Sequence, residues 1–319
     1  MEHTDGLHHV TAIVADPQRT VDFYEGTLGQ RFVKRTVNFD DPSAYHLYFG
    51  DYIGTPGTAL TFFSWQGMRP GIPGSGETNA LYYRIPYESI QYWQTRLTEH
   101  DCVWEEQTIF GEQAIRLLDP DNHALYLIEP KEDLPTPPLQ YWQNSPVSVT
   151  NQLQGFYGVR IAVQRIEMIE PVLHVLGYVK VAEEGSILRY RVPSTHGQHI
   201  DVQLTPDALP AQQGVGSVHH IAFRAKDDAD RERIRASFID IGLEPTGLVD
   251  RTFFHATYAW TPAGILFEIS TDAPGFTVNE PAEELGERLV LPPQYEYARA
   301  TIEAHLPLIT LPRHSYVAT

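Results

Sequence analysis

Internal repetition constrains this chain more than any other feature. "GLHHVTAIVADPQRTVDFYEGTLGQRFVKRTVNF" reads as a strand, a turn at Pro17, an amphipathic helix ending near Gly29 and a second strand; "YHLYFGD" and "GTALTFFSW" add two more strands. The βαβββ unit returns in three further copies, opening with "TNALYYRIP", "GFYGVRIAV" and "SVHHIAFRA". The four modules span residues 6–66, 78–130, 155–206 and 216–272. One such unit leaves a face of its sheet uncovered, so two units must pair around a shared interior. The expected class is α+β, with four βαβββ modules forming two curved, barrel-like domains. Along the sequence, residues 1–144 make an N-terminal domain, 145–275 a C-terminal domain and 276–319 an extension with one short helix. The proline-rich "PKEDLPTPPLQYWQNSPVSVTNQ" connects modules two and three. "GIPGSGE" lacks the Gly-Lys-Ser/Thr ending of a phosphate loop and reads as a plain loop.

Modules one and four share a feature that two and three lack: each opens on a doubled histidine, "LHHV" at 7–10 and "VHHI" at 218–221. Successive side chains of a strand face opposite ways. His8 is in phase with Val10, Ala12 and Val14, an apolar set suited to packing under the helix, whereas His9 shares its face with Thr11. His219 is in phase with Ile221 and Phe223, and His220 with Ala222. The second histidine of each pair is therefore the one expected inside the curve. His46, His123, His196, His199 and His255 lie on strands or turns without a consistent partner and read as surface or packing residues.

The last strand of module four, "GILFEIST", holds Glu268 among apolar residues. A carboxylate there is costly to bury unless a cation meets it. Module two has Tyr126 at the equivalent place, and modules two and three open without histidine. Four related frames thus contain one apparent ligand set, His9, His220 and Glu268. A lone strand histidine is ordinarily structural; two at equivalent repeat positions with one carboxylate point to a metal. Two imidazoles and a carboxylate with open positions suit iron(II), although zinc, manganese or nickel fit the same donors.

Composition narrows the partners. The 319 residues carry 41 acidic against 23 basic side chains, a net charge of −18, with no compensating basic run. Neither nucleic acid nor an anionic membrane is an expected partner. The one cysteine, Cys102, can form no intramolecular disulfide or zinc cluster, and no long apolar run or leader pattern is present, so a reducing cytoplasmic setting is expected. Association into a homo-oligomer is left open.

The repeats with "LHHVTAI", "GQRFVKRTVNFDDPSAYHLYFGD", "GTPGTALTFF", "VHHIAF" and "ILFEIST" resemble the vicinal oxygen chelate superfamily. Within it they look like the ring-cleaving enzymes that include hydroquinone and chlorohydroquinone 1,2-dioxygenases. The resemblance covers nearly the whole chain. It implies iron(II) on His9, His220 and Glu268, and roles beside the metal or substrate for His8, Thr11, His219, Arg251 and Tyr258. Ligands from modules one and four must then meet, so those modules are expected to share the metal barrel, leaving two with three. The implied substrates are dioxygen and an aromatic diol, a hydroquinone or catechol. A histidine near the metal would move protons, Arg251 would stabilise an oxyanion and Tyr258 would bond the ring hydroxyl away from the metal.

Two other readings use the same frame. A glyoxalase-type lyase, isomerase or thiol transferase would need no oxygen but ordinarily takes a second carboxylate, where module one offers Thr61 and Phe62. A protein that sequesters an aromatic compound would not need the ligand trio. No Gly-X-Ser-X-Gly turn suggests a nucleophilic hydrolase.

Overall fold

A computed structural model of the chain describes residues 4–131 and 137–316. Residues 132–136 of the expected connector lie outside the described residues. Module one contributes β1 (Leu7–Val14), α1 (Pro17–Val21), β2 (Arg31–Val37), β3 (Tyr45–Gly50) and β4 (Ala59–Ser64). Module two contributes β5 (Glu77–Arg84), α2 (Ile90–Glu99), β6 (Trp104–Ile109), β7 (Glu112–Leu118) and β8 (Ala124–Glu129). Module three has β9 (Phe156–Val163), α3 (Glu170–Val175), β10 (Val179–Glu184), β11 (Ile187–Arg191) and β12 (His199–Leu204). Module four has β13 (Val218–Ala225), α4 (Asp228–Asp240), β14 (Val249–Asp250), β15 (Phe254–Trp260) and β16 (Leu266–Pro274).

The described strands form two eight-stranded sheets, ordered β14-β15-β16-β13-β1-β4-β3-β2 and β10-β11-β12-β9-β5-β8-β7-β6. The first sheet joins modules one and four and the second joins two and three. Each sheet therefore takes one module from either half of the chain. In each, the opening strands of the two modules pair antiparallel at the centre. β1 occupies such a centre, and all eight of its residues are buried.

Local chemistry sets the helix ends. Asp16 caps α1 by accepting from the Gln18 and Arg19 N–H groups, with Pro17 fitting the first helical position. A π-helical turn over Asp22–Thr27 continues α1 and buries Tyr24 and Phe23. Asp227 caps α4, which packs on β13, β15 and β16. Two strands go beyond the sequence expectation. β10 is an edge strand with Val179 and Val181 exposed, and β14 is two residues long, so neither leaves an apolar signature.

The extension contains short 3₁₀ turns, α5 (Arg299–His305) and α6 (Arg313–Tyr316), one helix more than expected. It wraps module one: Arg31 donates to the Glu283 carbonyl (2.9 Å), the Tyr45 hydroxyl to Pro307 (2.9 Å) and the Tyr295 hydroxyl to Phe39 (2.7 Å). A wholly buried Lys34–Glu280 pair ties the same surfaces together. No described helix is long and apolar enough to cross a membrane.

Candidate metal centre

Strand pairing explains the doubled histidines. Leu7 pairs with Phe223 and His9 with Ala222, so β1 has one extra residue, His8; Thr11 pairs with His220 and Ala12 with Val218, so β13 has one extra residue, His219. The first histidine of each pair is thus a β-bulge. Bulges break the strict alternation of side chains and re-aim their neighbours. As a result the two rings of each pair meet: Nδ1 of His8 lies 2.9 Å from Nδ1 of His9, and Nδ1 of His219 lies 2.8 Å from Nδ1 of His220.

On the first strand these contacts decide where the protons sit. His8 Nε2 faces the Thr271 carbonyl at 3.1 Å, and a carbonyl only accepts. Burial pushes the His8 pKa down to about 4, so the ring is neutral at pH 7 and carries its single proton on Nε2. Its Nδ1 must then accept from His9 Nδ1–H. This leaves His9 Nε2 with its lone pair, 3.6 Å from Glu268 Oε2 and 3.4 Å from His220 Nε2. Burial likewise lowers His9 well below its ordinary value and takes His220 down to about 3.

The donor atoms of His9, His220 and Glu268 lie within 4.8 Å of one another, and no other such group of three occurs among the described residues. Glu268 has no exposed surface. Its Oε1 accepts from the Ser270 hydroxyl at 2.6 Å. Its Oε2 has no hydrogen-bond partner, although His220 Nε2 is 2.9 Å away, because that approach is not aligned for a hydrogen bond. A buried carboxylate oxygen without a hydrogen-bond partner, beside two neutral imidazoles, calls for a cation to offset the cost of its burial. The donor set therefore fits a divalent metal.

These atoms open into a cavity of about 350 Å³. Phe39, Phe63, Trp65 and Phe254 supply aromatic walls, and Asn38, Asp40, His46, Tyr48, Arg251 and Tyr258 supply polar groups. Arg251 donates from Nε to the Tyr258 hydroxyl at 2.9 Å, and its Nη1 stands 3.7 Å from Asp40. Tyr258 pairs in register with Glu268, which places Arg251 and Tyr258 beside the centre.

The remaining residues implied by the resemblance divide. His219 reaches the cavity with its ring edge-on to Phe63 at 5.2 Å, rather than packing under the helix as strict alternation would require, because it is the bulged residue. His8 sits behind His9, outside the cavity lining. Thr11 is also outside it, with its hydroxyl bonded to Thr61 at 2.7 Å.

His46 is a departure from the sequence expectation. It lines the cavity, with Nε2 2.9 Å from the Thr61 hydroxyl and Nδ1 2.9 Å from the Tyr48 hydroxyl. The available signal was its i,i+2 phase with Tyr48. Ser270 was missed too, though it is in phase with Glu268. His123 is a buried packing residue, 2.8 Å from Asp119, while His255 pairs with Asp228 at a half-exposed site.

Residues 6–127 match the family model for the Glyoxalase/Bleomycin resistance protein/Dioxygenase superfamily. The chain is 40% identical over 304 residues to "Putative ring-cleaving dioxygenase MhqO" of Bacillus subtilis (strain 168), covering 95% of this chain and 96% of that one. It is 33% identical over 307 residues to the chlorohydroquinone/hydroquinone 1,2-dioxygenase of Sphingobium indicum, covering 92% and 94%. The crystal structure of a "putative dioxygenase from Bacillus subtilis subsp. subtilis str. 168" superimposes with a TM-score of 0.91 at 39% identity, over 98% of this chain and 99% of that one. Glyoxalase I from Zea mays, at 14% identity and a TM-score of 0.60 over 84% and 92%, shares the fold.

Proposed function

From a chain that belongs to the Glyoxalase/Bleomycin resistance protein/Dioxygenase superfamily, we propose a non-haem iron(II) ring-cleaving dioxygenase that inserts dioxygen into a hydroquinone-type or catechol-type ring. The observation that carries this reading is the buried, unpartnered Oε2 of Glu268 between the imidazoles of His9 and His220. These three residues would hold the iron. The names of the relatives, one a chlorohydroquinone/hydroquinone 1,2-dioxygenase, favour ring cleavage with dioxygen and a hydroquinone. Bound there, iron(II) supplies the redox chemistry that joins dioxygen to a ring carbon.

The chain's own residues do the rest. Phe63, Trp65 and Phe254 give the flat ring apolar walls and keep water from it. Arg251 directs positive charge toward a deprotonated ring oxygen. Tyr258 accepts the Arg251 N–H and keeps its own proton to donate to a ring oxygen. His8 fixes the tautomer of His9, and Ser270 holds the Glu268 carboxylate in place. His219, at the cavity wall, would exchange protons with the ring hydroxyls. A glyoxalase-type site would take a second carboxylate at the place related to Glu268 by the sheet's internal symmetry. That place is Thr61, whose hydroxyl is bonded to Thr11 and His46.

The test is oxygen uptake by protein reconstituted anaerobically with iron(II), offered hydroquinone, methylhydroquinone, a chlorohydroquinone and catechol. The reading expects ring-dependent uptake that a His220→Ala variant abolishes. Uptake with none of the rings, despite bound iron, would sink it.

A further inference from the structure

The internal symmetry of the first sheet brings a second tyrosine to the cavity. Two residues after His220, Ala222 pairs with Glu268, which pairs with Tyr258; two residues after His9, Thr11 pairs with Thr61, which pairs with Tyr48. Tyr48 and Tyr258 therefore hold equivalent register positions on opposite arms of the sheet, and both line the same cavity. Their hydroxyls are held differently. The Tyr258 oxygen accepts a hydrogen bond from a guanidinium, whereas the Tyr48 hydroxyl meets Nδ1 of His46.

Burial keeps His46 neutral. Its Nε2 continues the chain to Thr61 at 2.9 Å and on to Thr11 at 2.7 Å. Every link in that chain is a hydroxyl or an imidazole nitrogen, so it is satisfied with its donors running in either direction. In one direction Tyr48 gives its proton to His46 and offers lone pairs to the cavity. In the other it receives from His46 and offers its proton. An uncharged contact that takes either a donor or an acceptor suits a neutral ring hydroxyl, while the cationic Arg251–Tyr258 arm suits an anionic ring oxygen.

Resting on the ring-cleavage reading above, we propose that Tyr48, positioned by His46, is a specificity residue that binds the second ring oxygen of the substrate, the one not held at the metal. The chain of Thr61 and Thr11 behind His46 fixes the hydroxyl that selects a diol over a monophenol.

Anaerobic titration calorimetry on the iron(II)-loaded protein tests this with hydroquinone and phenol, which differ by that one hydroxyl. A neutral hydrogen bond predicts that the parent binds hydroquinone about 3- to 10-fold more tightly than phenol. In Tyr48→Phe the preference should vanish while phenol affinity stays at the parent value, which also reports an intact fold. A preserved preference in Tyr48→Phe would overturn the inference, as would an equal loss for both ligands, which marks a purely packing role. A parent protein that binds neither ring would contradict the ring-cleavage reading itself, and this contact with it.

Discussion

The two sheets of this molecule are built on one frame and end in opposite chemistry. In the second sheet the bulges fall at Asn79 of β5 and Tyr157 of β9, so Ala80 and Gly158 stand where the first sheet has His9 and His220. Two residues further on, Tyr82 pairs with Tyr126 and Arg160 with Asp201, the places of Thr61 and Glu268. Asp201, like Glu268, is wholly buried. Yet Asp201 is gripped at both oxygens by Arg189, at 2.8 and 2.9 Å, and Arg189 also meets Glu112. Tyr82, Tyr126 and Tyr157 pack the interior of that sheet. A side chain at Gly158 would place its Cβ 2.2 Å from the His199 carbonyl oxygen. The difference teaches that the frame positions a buried carboxylate in either sheet, and that only in the first has the protein left out the cation.

The largest expected effect breaks that contrast outright. Glu268→Gln should lower iron(II) affinity by more than the ~10–100-fold typical of losing an outer hydrogen-bond partner, as measured by anaerobic metal titration. The same variant without metal should unfold at higher denaturant than the metal-free parent, by on the order of 1–3 kcal/mol, because it no longer buries an unpartnered charge. In the second sheet the sign reverses. Arg189→Met strands Asp201 and should cost about 3–5 kcal/mol in urea unfolding while leaving iron binding unchanged.

His8→Phe sharpens the tautomer argument. It removes the acceptor that holds the His9 proton on Nδ1, and iron affinity should fall by about 10–100-fold with little change in fold stability.

The smallest effect concerns one of the contacts that join the two sheets. His123, in the β7–β8 turn, faces Asp119 Oδ2 with Nδ1 (2.8 Å) and the Ser217 carbonyl, next to β13, with Nε2 (3.3 Å). Both partners accept, so the ring donates twice and is an imidazolium. Burial opposes that charge, but Asp119 outweighs it and raises the pKa above 6.5. The pair's contribution is therefore fully present below pH 6.5 and is lost as pH rises through the raised value. Asp119, held below its ordinary value by the same partner and its N–H donors against the cost of burial, loses its share only as pH falls through that lowered value. His123→Gln should flatten the decline of stability on the alkaline side, at a cost of roughly 1.5 kcal/mol near pH 6 by denaturant titration.

The repeats, the convergence of His9, His220 and Glu268 and the pairing of histidine-bearing strands were legible because apolar phase and residue type are printed in each module. Less visible was anything that depends on pairing register. His8 and His219 are separated from their neighbours' faces only by bulges, which need the partner strand to be seen. His46 looked like a packing residue because its partners, Thr61 and Tyr48, gain meaning only once β3 and β4 lie side by side. β10 and β14 were hidden since an exposed edge strand and a two-residue strand carry no burial pattern. Much of the hold of the extension on module one comes from side chains bonding to backbone carbonyls, such as Tyr295 to Phe39, and backbone partners leave no trace in composition.

The asymmetry of the two sheets is tested most directly by anomalous diffraction at the iron edge from crystals grown anaerobically with excess iron(II). The account predicts one peak per chain, within bonding distance of His9 Nε2, His220 Nε2 and Glu268 Oε2. A peak beside Asp201 in the second sheet, or none in the first, would contradict it.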